Sequence, residues 1–365
     1  MNREKIAHIK DWVKRHERHV SSMLLISGFV IDNLTLRRID LLFENLILLF
    51  YLVVSSASIV VYNLHKGRAI SGRFLEKYDF LLPLVIQFTF GGLFSGFIVF
   101  YSRSAALFTS WPFLFILAAI LIAGELLRDF YKRLDYQLTV LSVSIFSFLI
   151  FYVPILTGTM SEKMFLVSGV SSLFVFYIIY RILFSSVPHI FSEYNQWKNI
   201  WIKVLGLFLL INSLYFTNIL PPIPLSLKDG GVYHLVTRTT EGYTLIGEPK
   251  GFLDRFRFRD TIHVAPGTPV YAFSSVFAPT DLQVPIVHVW QQYNEGTKKW
   301  ITVSTIDFPI TGGSDGGYRG YSYKKNVSPG KWRVSVNTPR GQIIGRIQFE
   351  IKNGSPESTK HIFYR

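Results

Sequence analysis

Six aromatic and basic side chains near the end of this sequence could form a binding surface. They are His288, Trp290, Arg319, Tyr321, Trp332 and Arg333. In such a site the aromatic rings would stack on a sugar or a peptide, and the basic side chains would donate hydrogen bonds to it. However, a tryptophan in a central strand usually belongs to the core, and a neighbouring histidine usually bonds within the fold. We therefore favour a structural role for His288 and Trp290.

A second group of polar residues lies in an apolar part of the chain. Its members are Asp32, Asn33, Arg37, Arg38, Asp40 and Glu44. Ionisable residues are costly inside a membrane, so each of them needs a partner or contact with water. We favour charge pairing that holds a tight helical hairpin, because charges at helix ends can reach the aqueous interface. The alternative is a site for an ion, a proton or a lipid headgroup.

Several classes of reactive site have no support in the sequence. The chain has no cysteine, which excludes disulfides, thiolate metal sites and cysteine nucleophiles. It has no HExxH or GxSxG motif and no clustered His, Asp and Glu ligand set. The glycine-rich "GGSDGG" at 312–317 lacks the Lys-Ser/Thr of a phosphate loop. We therefore predict no catalytic residue, no metal and no cofactor.

Membrane helices are the elements expected to position the second group. The chain is 49% hydrophobic, and its apolar residues are concentrated in the first 220 positions. A membrane helix needs about 20 apolar residues. Hydrophobic stretches lie near 19–36, 41–62, 80–101, 107–126, 137–157, 164–184 and 200–219. We predict a basic amphipathic segment at 1–18 and an all-α transmembrane bundle of about seven spans at 19–219. Asp32 and Asn33 interrupt the first stretch, so whether it fully spans stays open.

The charges of the connecting segments predict an orientation. Lys and Arg are most frequent in the N-terminal segment and in alternate connections, such as 63–79 and 127–136. Because positive loops stay in the cytoplasm, we expect a cytoplasmic N-terminus and an extracytoplasmic C-terminal domain in a bacterial inner membrane. The net charge of +14 could indicate nucleic-acid binding. Membrane topology explains about half of that excess, so we expect no nucleic-acid partner.

Strands are expected to position the first group. The segment 220–230 contains three prolines and is predicted to be a linker. Beyond it apolar residues recur with a period of two, as in Trp332, Val334 and Val336. Many short strands separated by regular turns are typical of a sandwich. We predict an all-β, immunoglobulin-like sandwich at 231–352 and a polar tail at 353–365.

Three stretches of the C-terminal part resemble a known family. They are "PIVHVWQQYNEG" at 285–296, "GYRGYS" at 317–322 and "GKWRVSVNTPRGQIIG" at 330–345. Together they resemble the bacterial module called domain of unknown function 2914. The stretch "DNLTLRRIDLLFENLILLFYL" at 32–52 resembles the membrane half of the same proteins. The resemblance implies a fold and an architecture, and it implies no activity.

These observations favour a non-enzymatic membrane protein. Its transmembrane helices would anchor a β-sandwich that binds an envelope glycan or an extracytoplasmic protein. One alternative is a transporter or channel with an accessory β-domain. Another is a membrane-embedded enzyme that acts on a lipid-linked substrate, with Asp32 and Glu44 as acid and base. The oligomeric state cannot be inferred from the sequence.

Overall fold

The computed structural model describes residues 29–30, 32, 42–104, 107–126, 128–192, 195–222, 225–240, 242–249, 259–278, 283–311, 318–356 and 358–364. The predicted segment 1–18, most of the stretch 19–36, and Asn33, Arg37, Arg38 and Asp40 lie outside these residues. The chain divides into a mainly helical unit that ends at Leu220 and a β-rich unit whose main part begins at Pro221. The predicted order of a helical part and a β-rich part is confirmed.

The described residues of the helical unit form eight α-helices. These are α1 (Leu42–Lys66), α2 (Arg73–Tyr78), α3 (Leu81–Ser104), α4 (Leu107–Leu126), α5 (Leu134–Thr157), α6 (Glu162–Ser186), α7 (Pro188–Ser192) and α8 (Gln196–Phe216). A 3₁₀ helix, Arg128–Lys132, lies between α4 and α5. Ser161 begins α6 as an N-cap, because its Oγ accepts a hydrogen bond from the Met164 amide at 3.3 Å.

Five of the described helices are long and apolar enough to cross a membrane. The qualifying ranges are Phe43–Lys66, Leu81–Ser102, Leu134–Thr157, Glu162–Ser186 and Gln196–Phe216. In α4 the qualifying apolar stretch is shorter, Ser110–Ala123. Large apolar side chains point outward from these helices, and Phe50, Phe174 and Ile202 are each more than 60% exposed. Apolar surface of this kind is rarely left in contact with water.

Polar bonds and a glycine contact join the helices of this unit. In the pair of α1 and α5, Asn63 Nδ2 donates to Gln137 Oε1 at 2.6 Å. In the pair of α8 and α5, Lys203 Nζ donates to Asp135 Oδ2, also at 2.6 Å. A Cβ atom added to Gly92 of α3 would lie 2.6 Å from the Tyr51 ring of α1. The glycine therefore permits close packing of α1 and α3.

The described residues of the β-rich unit form eleven strands. These are β1 (Ser226–Tyr233), β2 (Leu235–Thr239), β3 (Gly242–Gly247), β4 (Asp260–Val264), β5 (Val270–Phe277), β6 (Gln283–Asn294), β7 (Lys299–Thr311), β8 (Tyr318–Lys324), β9 (Gly330–Asn337), β10 (Ile343–Asn353) and β11 (Lys360–Tyr364). They form three sheets, ordered β1-β5-β8, β4-β10-β9-β6-β7 and β11-β3-β2. The β4–β10 pair is parallel and the other pairs are antiparallel.

Two hydrophobic cores hold these sheets together. The larger core lies between the β1-β5-β8 sheet and the five-stranded sheet, and it contains Trp290, Trp332 and Phe349. Along β9 the apolar residues alternate as the sequence predicts, and Trp332, Val334 and Val336 are buried on the core face. The smaller core joins the other face of β5 to the third sheet through Phe273, Val236 and Leu245. The side chains of β5 are therefore buried on both faces, except for Tyr271, which is partly buried.

The ends of the β-rich unit differ from the prediction. Strand β1 begins at Ser226, inside the segment 220–230 that was expected to be a linker. Its sequence does not alternate, yet its backbone pairs with β5 around an irregularity between Leu227 and Asp229. Strand β11 lies inside the segment 353–365 that was expected to be a polar tail, and it pairs with β3. Both segments gain their structure from a partner strand that is distant in sequence.

Candidate functional site

His288 is a completely buried residue of β6 that connects the two sheets of the larger core. Its Nε2 lies 2.8 Å from Ser274 Oγ on β5, and its Nδ1 lies 2.8 Å from Ser322 Oγ on β8. The ring of Phe308 meets the imidazole edge-on at 4.9 Å. Burial lowers the pKa of His288 to about 3, so the imidazole is neutral at neutral pH. Its hydrogen-bonding capacity is used within the fold.

The two tryptophans of the predicted site are also core residues. Trp290 Nε1 donates to Ser322 Oγ at 2.9 Å, so Ser322 serves both the indole and His288. Trp332 Nε1 donates to the Ser328 carbonyl oxygen at 2.9 Å. Both indoles are at most 1% exposed. Neither ring therefore offers a face to a ligand on the surface of the unit.

Tyr321 lies on the outer face of β8, among exposed and partly buried aromatic rings. Its ring centroid is 6.1 Å from that of Tyr271, which is in turn 5.4 Å from that of Tyr323. Tyr321 is 36% exposed and Tyr323 is 50% exposed. We call Tyr271, Tyr321 and Tyr323 the tyrosine platform. Nearby, the Tyr243 hydroxyl donates to the Arg319 carbonyl oxygen at 3.1 Å. The backbone of Arg319, one of the six predicted binding residues, therefore takes part in a hydrogen bond within the fold.

Arg333 lies on the outer face of β9, on the other side of the core. Its Nε donates to Gln291 Oε1 at 2.6 Å, and its guanidinium carbon lies 4.3 Å from the centroid of the Trp300 ring. Burial, with a smaller contribution from the charge of Arg346, lowers the pKa of Arg333 to about 10. The side chain therefore remains charged at neutral pH. Its stacking on Trp300 is a cation–π contact that holds the guanidinium in place.

The six predicted binding residues therefore do not form one site. His288, Trp290 and Trp332 are in the larger core, while Tyr321 and Arg333 are on opposite outer faces of the two sheets that enclose it. A binding role stays a prediction for the residues that reach the surface. The sequence contained no signal for which outer face each strand would turn to solvent.

A bridge of Glu248 and two histidines is a feature that the sequence does not indicate. Glu248 Oε1 accepts from the His263 amide at 2.6 Å, and Oε2 lies 3.0 Å from His263 Nδ1. Glu248 Oε1 is also 3.3 Å from Nε2 of His234. The bridge joins the start of β2 and the end of β3 to β4. No group of three or more His, Cys, Asp or Glu among the described residues is arranged to hold a metal ion.

In the helical unit, the described members of the polar group are buried. Asp32 is 6% exposed and Glu44 is 4% exposed, and the neighbouring Asn45 is 3% exposed. The arginines and the third carboxylate of the predicted hairpin lie outside the described residues. Charge pairing across that hairpin therefore stays a prediction.

One part of the chain matches a protein family. Residues 283–351 match the family model described as "Protein of unknown function (DUF2914)". The match runs from the first residue of β6 to Ile351 in β10, so it covers the C-terminal segments that carry the resemblance. The expected resemblance is confirmed for this module at the C-terminal end of the chain. The family description assigns it no activity.

The other comparisons add no functional information. The comparison with curated proteins found no match. Among solved structures, the Pseudomonas fluorescens alkylpurine DNA glycosylase AlkC, bound to DNA containing an abasic site analog, aligns with 87% of this chain and 100% of its own. The identity is 9% and the TM-score is 0.21, which is too low to indicate a shared fold.

Proposed function

We propose that this chain is a multi-pass membrane protein whose helices anchor an immunoglobulin-like sandwich. Five described helices have the length and apolarity of membrane spans. Their outward side chains are apolar, as lipid contact requires, and polar side chains such as Asn63 and Gln137 bond between helices. The proposed location is the bacterial inner membrane, with the β-rich unit on the extracytoplasmic side.

The strand order supports the immunoglobulin-like assignment. In that fold, strands A, B and E belong to one sheet and strands C, F and G to the other. Strands β1, β5 and β8 have the positions of A, B and E, and β6, β9 and β10 have those of C, F and G. Strand β7 lies beside β6 as an additional C′ strand. Trp290 on β6 has the place of the buried tryptophan of strand C. The remaining strands are additions to this scheme.

The function that we propose for the sandwich is binding of an envelope glycan at the tyrosine platform. The observation that carries this proposal is the row of partly exposed rings of Tyr271, Tyr321 and Tyr323. Aromatic rings on a rigid strand bind the apolar faces of sugars at little conformational cost, and tyrosine hydroxyls add hydrogen bonds. An exposed segment of a partner protein is the alternative ligand for the same rings.

The proposal can be tested with matched substitutions in the full chain. Binding of N-acetylglucosamine oligomers would be measured by calorimetry in a neutral detergent. Tyr323→Ala should weaken binding about three- to tenfold, because one stacking contact is lost. Tyr323→Phe keeps the ring and should retain most of the affinity. Ile301→Ala, at a 48% exposed residue of β7, is the control. Equal affinities of Tyr323→Ala and the unaltered protein would reject the platform as the binding site.

A second candidate function resides in the helices. The burial of Asp32 and Glu44 is compatible with transport, or with acid–base catalysis on a lipid-linked substrate. In either case Asp32→Asn and Glu44→Gln should abolish complementation of a deletion strain at normal protein abundance. If the two acids only hold the hairpin, Asp32→Asn should be mild, because an amide still forms hydrogen bonds.

A further inference from the structure

The outer face of the five-stranded sheet brings two arginines together. Arg333 on β9 lies opposite Gln291 on β6 and Gln348 on β10. Arg346 on β10 lies opposite Ser335 on β9. Because Arg346 is two residues from Gln348, the two arginines are diagonal neighbours on one face of the sheet. We call these five residues the arginine face.

Neither guanidinium of the arginine face has an acidic partner among the residues that the structure describes. Arg333 bonds to the neutral amide of Gln291 and stacks on Trp300. The Nε atom of Arg346 is buried, and no hydrogen-bond acceptor within the described residues reaches it. A buried N–H group without an acceptor destabilises the fold unless a ligand supplies one.

Among the described residues, the acid nearest to the arginine face is Glu350, a diagonal neighbour of Arg333, and it forms no ion pair with either arginine. Lys331 is two residues before Arg333 on β9. It forms an ion pair with Glu295 at 2.7 Å, so its own charge is compensated. Glu350 on β10 lies opposite Lys331 in the strand register. Burial lowers the pKa of both arginines, and the charge of Arg346 lowers the pKa of Arg333 a little further. These shifts are the physical sign of two positive charges held close together in a partly desolvated place.

We propose that the arginine face binds the carboxylate or phosphate group of an acidic glycan. Two guanidinium groups side by side match the oxygen atoms of a carboxylate or phosphate, because each can donate two parallel hydrogen bonds. The amide of the partly exposed Gln348 lies beside them and can bond to a sugar hydroxyl, whereas the amide of Gln291 is already bonded to Arg333 and to Thr302. The choice of a glycan as the carrier of the anion rests on the proposed function of the sandwich.

The test compares charged and neutral forms of one ligand with the full chain in neutral detergent. Oligogalacturonate provides the carboxylate, its methyl ester removes the charge, and a phosphodiester-linked polyol provides the phosphate. The protein should bind one of the two anions and should bind the ester at least about tenfold more weakly. Arg346→Gln should reduce anion binding about tenfold or more, and Arg346→Lys should reduce it less. Arg238→Gln, at an exposed position of β2, removes the same charge elsewhere and should have no effect.

Thermal unfolding distinguishes a ligand site from a structural arginine. Arg346→Gln should leave the unfolding temperature unchanged or raise it, because the substitution relieves the repulsion at Arg333. The anion should raise the unfolding temperature of the unaltered protein but not that of the variant. Equal binding of acid and ester, or no loss on Arg346→Gln, would overturn the inference and leave the tyrosine platform untouched. Binding only to vesicles of anionic lipid would also overturn it. A failure of the tyrosine platform as a glycan site would give a different result. In that case, Tyr323→Ala would bind the neutral ester as well as the unaltered protein does.

Discussion

Trp332 is a residue whose burial defines its role. The ring is surrounded in the larger core, and its N–H is satisfied by a backbone carbonyl. Trp332→Ala should lower the free energy of unfolding by about 3–5 kcal/mol, because it leaves a large cavity in a packed interior. Chemical denaturation followed by the circular dichroism of the β-rich unit measures this loss. Ile301→Ala, at an exposed position, should change little, and an equally small effect of Trp332→Ala would contradict the core assignment.

His288 should make the β-rich unit sensitive to acid. Its pKa is about 3 in the folded protein, well below the ordinary value of 6.5 that an unfolded chain shows. The unfolded state therefore binds the extra proton first. The contribution of the neutral His288 to the free energy of unfolding is complete above pH 6.5. It is lost as the pH falls from 6.5 toward 3, by about 1.4 kcal/mol per pH unit. Unfolding titrations at several pH values measure this slope.

A matched pair of substitutions assigns that slope to one histidine. His288→Gln should lower stability at neutral pH, because the bonds to Ser274 and Ser322 change, and it should flatten the dependence below pH 6.5. The exposed His361→Gln should leave the slope as it is. A steep slope that survives His288→Gln would show that another group takes up the proton.

The strands that the sequence predicted well are those with a clear period of two. In β9 the apolar residues Trp332, Val334 and Val336 alternate with polar residues, so the core face of this strand could be predicted. Strands β1 and β11 could not be found in this way. Their pairing depends on the backbones of β5 and β3, which are far away in sequence. The helices were simpler, because a continuous apolar run of about 20 residues is a local signal.

The positions of the candidate site residues could also be predicted only in part from the sequence. Residue type favoured core roles for His288 and Trp290, which their burial matches. The split of Tyr321 and Arg333 between two outer faces depends on which sheet each strand joins, and this is a property of the topology. The Glu248 bridge had no signal either, because its three residues come from separate elements.

The contact between α1 and α3 provides a test of helix packing. A Cβ atom at Gly92 would come within 2.6 Å of the Tyr51 ring, whereas one at the adjacent Gly91 would meet nothing within 4 Å. Gly92→Ala should therefore lower the thermal stability of the purified protein, because the two helices must separate or the ring must move. Gly91→Ala should be neutral or slightly stabilising, since alanine is the better helix former. Equal effects of both substitutions would reject the close approach of the two helices.

For the whole molecule, the proposed membrane topology can be tested at α4. Five described helices meet the criteria for a span, and α4 has a shorter qualifying apolar stretch than they do. If α4 crosses, the connections before α3 and after α4 lie on the same side. If it does not, they lie on opposite sides. The basic residues of both connections, such as Arg73 and Lys132, favour a shared cytoplasmic location.

We therefore predict that α4 crosses the membrane and that the β-rich unit is extracytoplasmic. The absence of cysteine from the chain makes this measurable without any background substitution. Single cysteines at Gly72, Lys132 and Asn353 would be treated with a membrane-impermeant maleimide in intact cells whose outer barrier is permeabilised. Asn353→Cys should react at once, while Gly72→Cys and Lys132→Cys should react only after lysis. Labelling of Lys132→Cys in intact cells would show that α4 does not cross. Protection of Asn353→Cys would place the β-rich unit in the cytoplasm, where neither the tyrosine platform nor the arginine face could meet an envelope glycan.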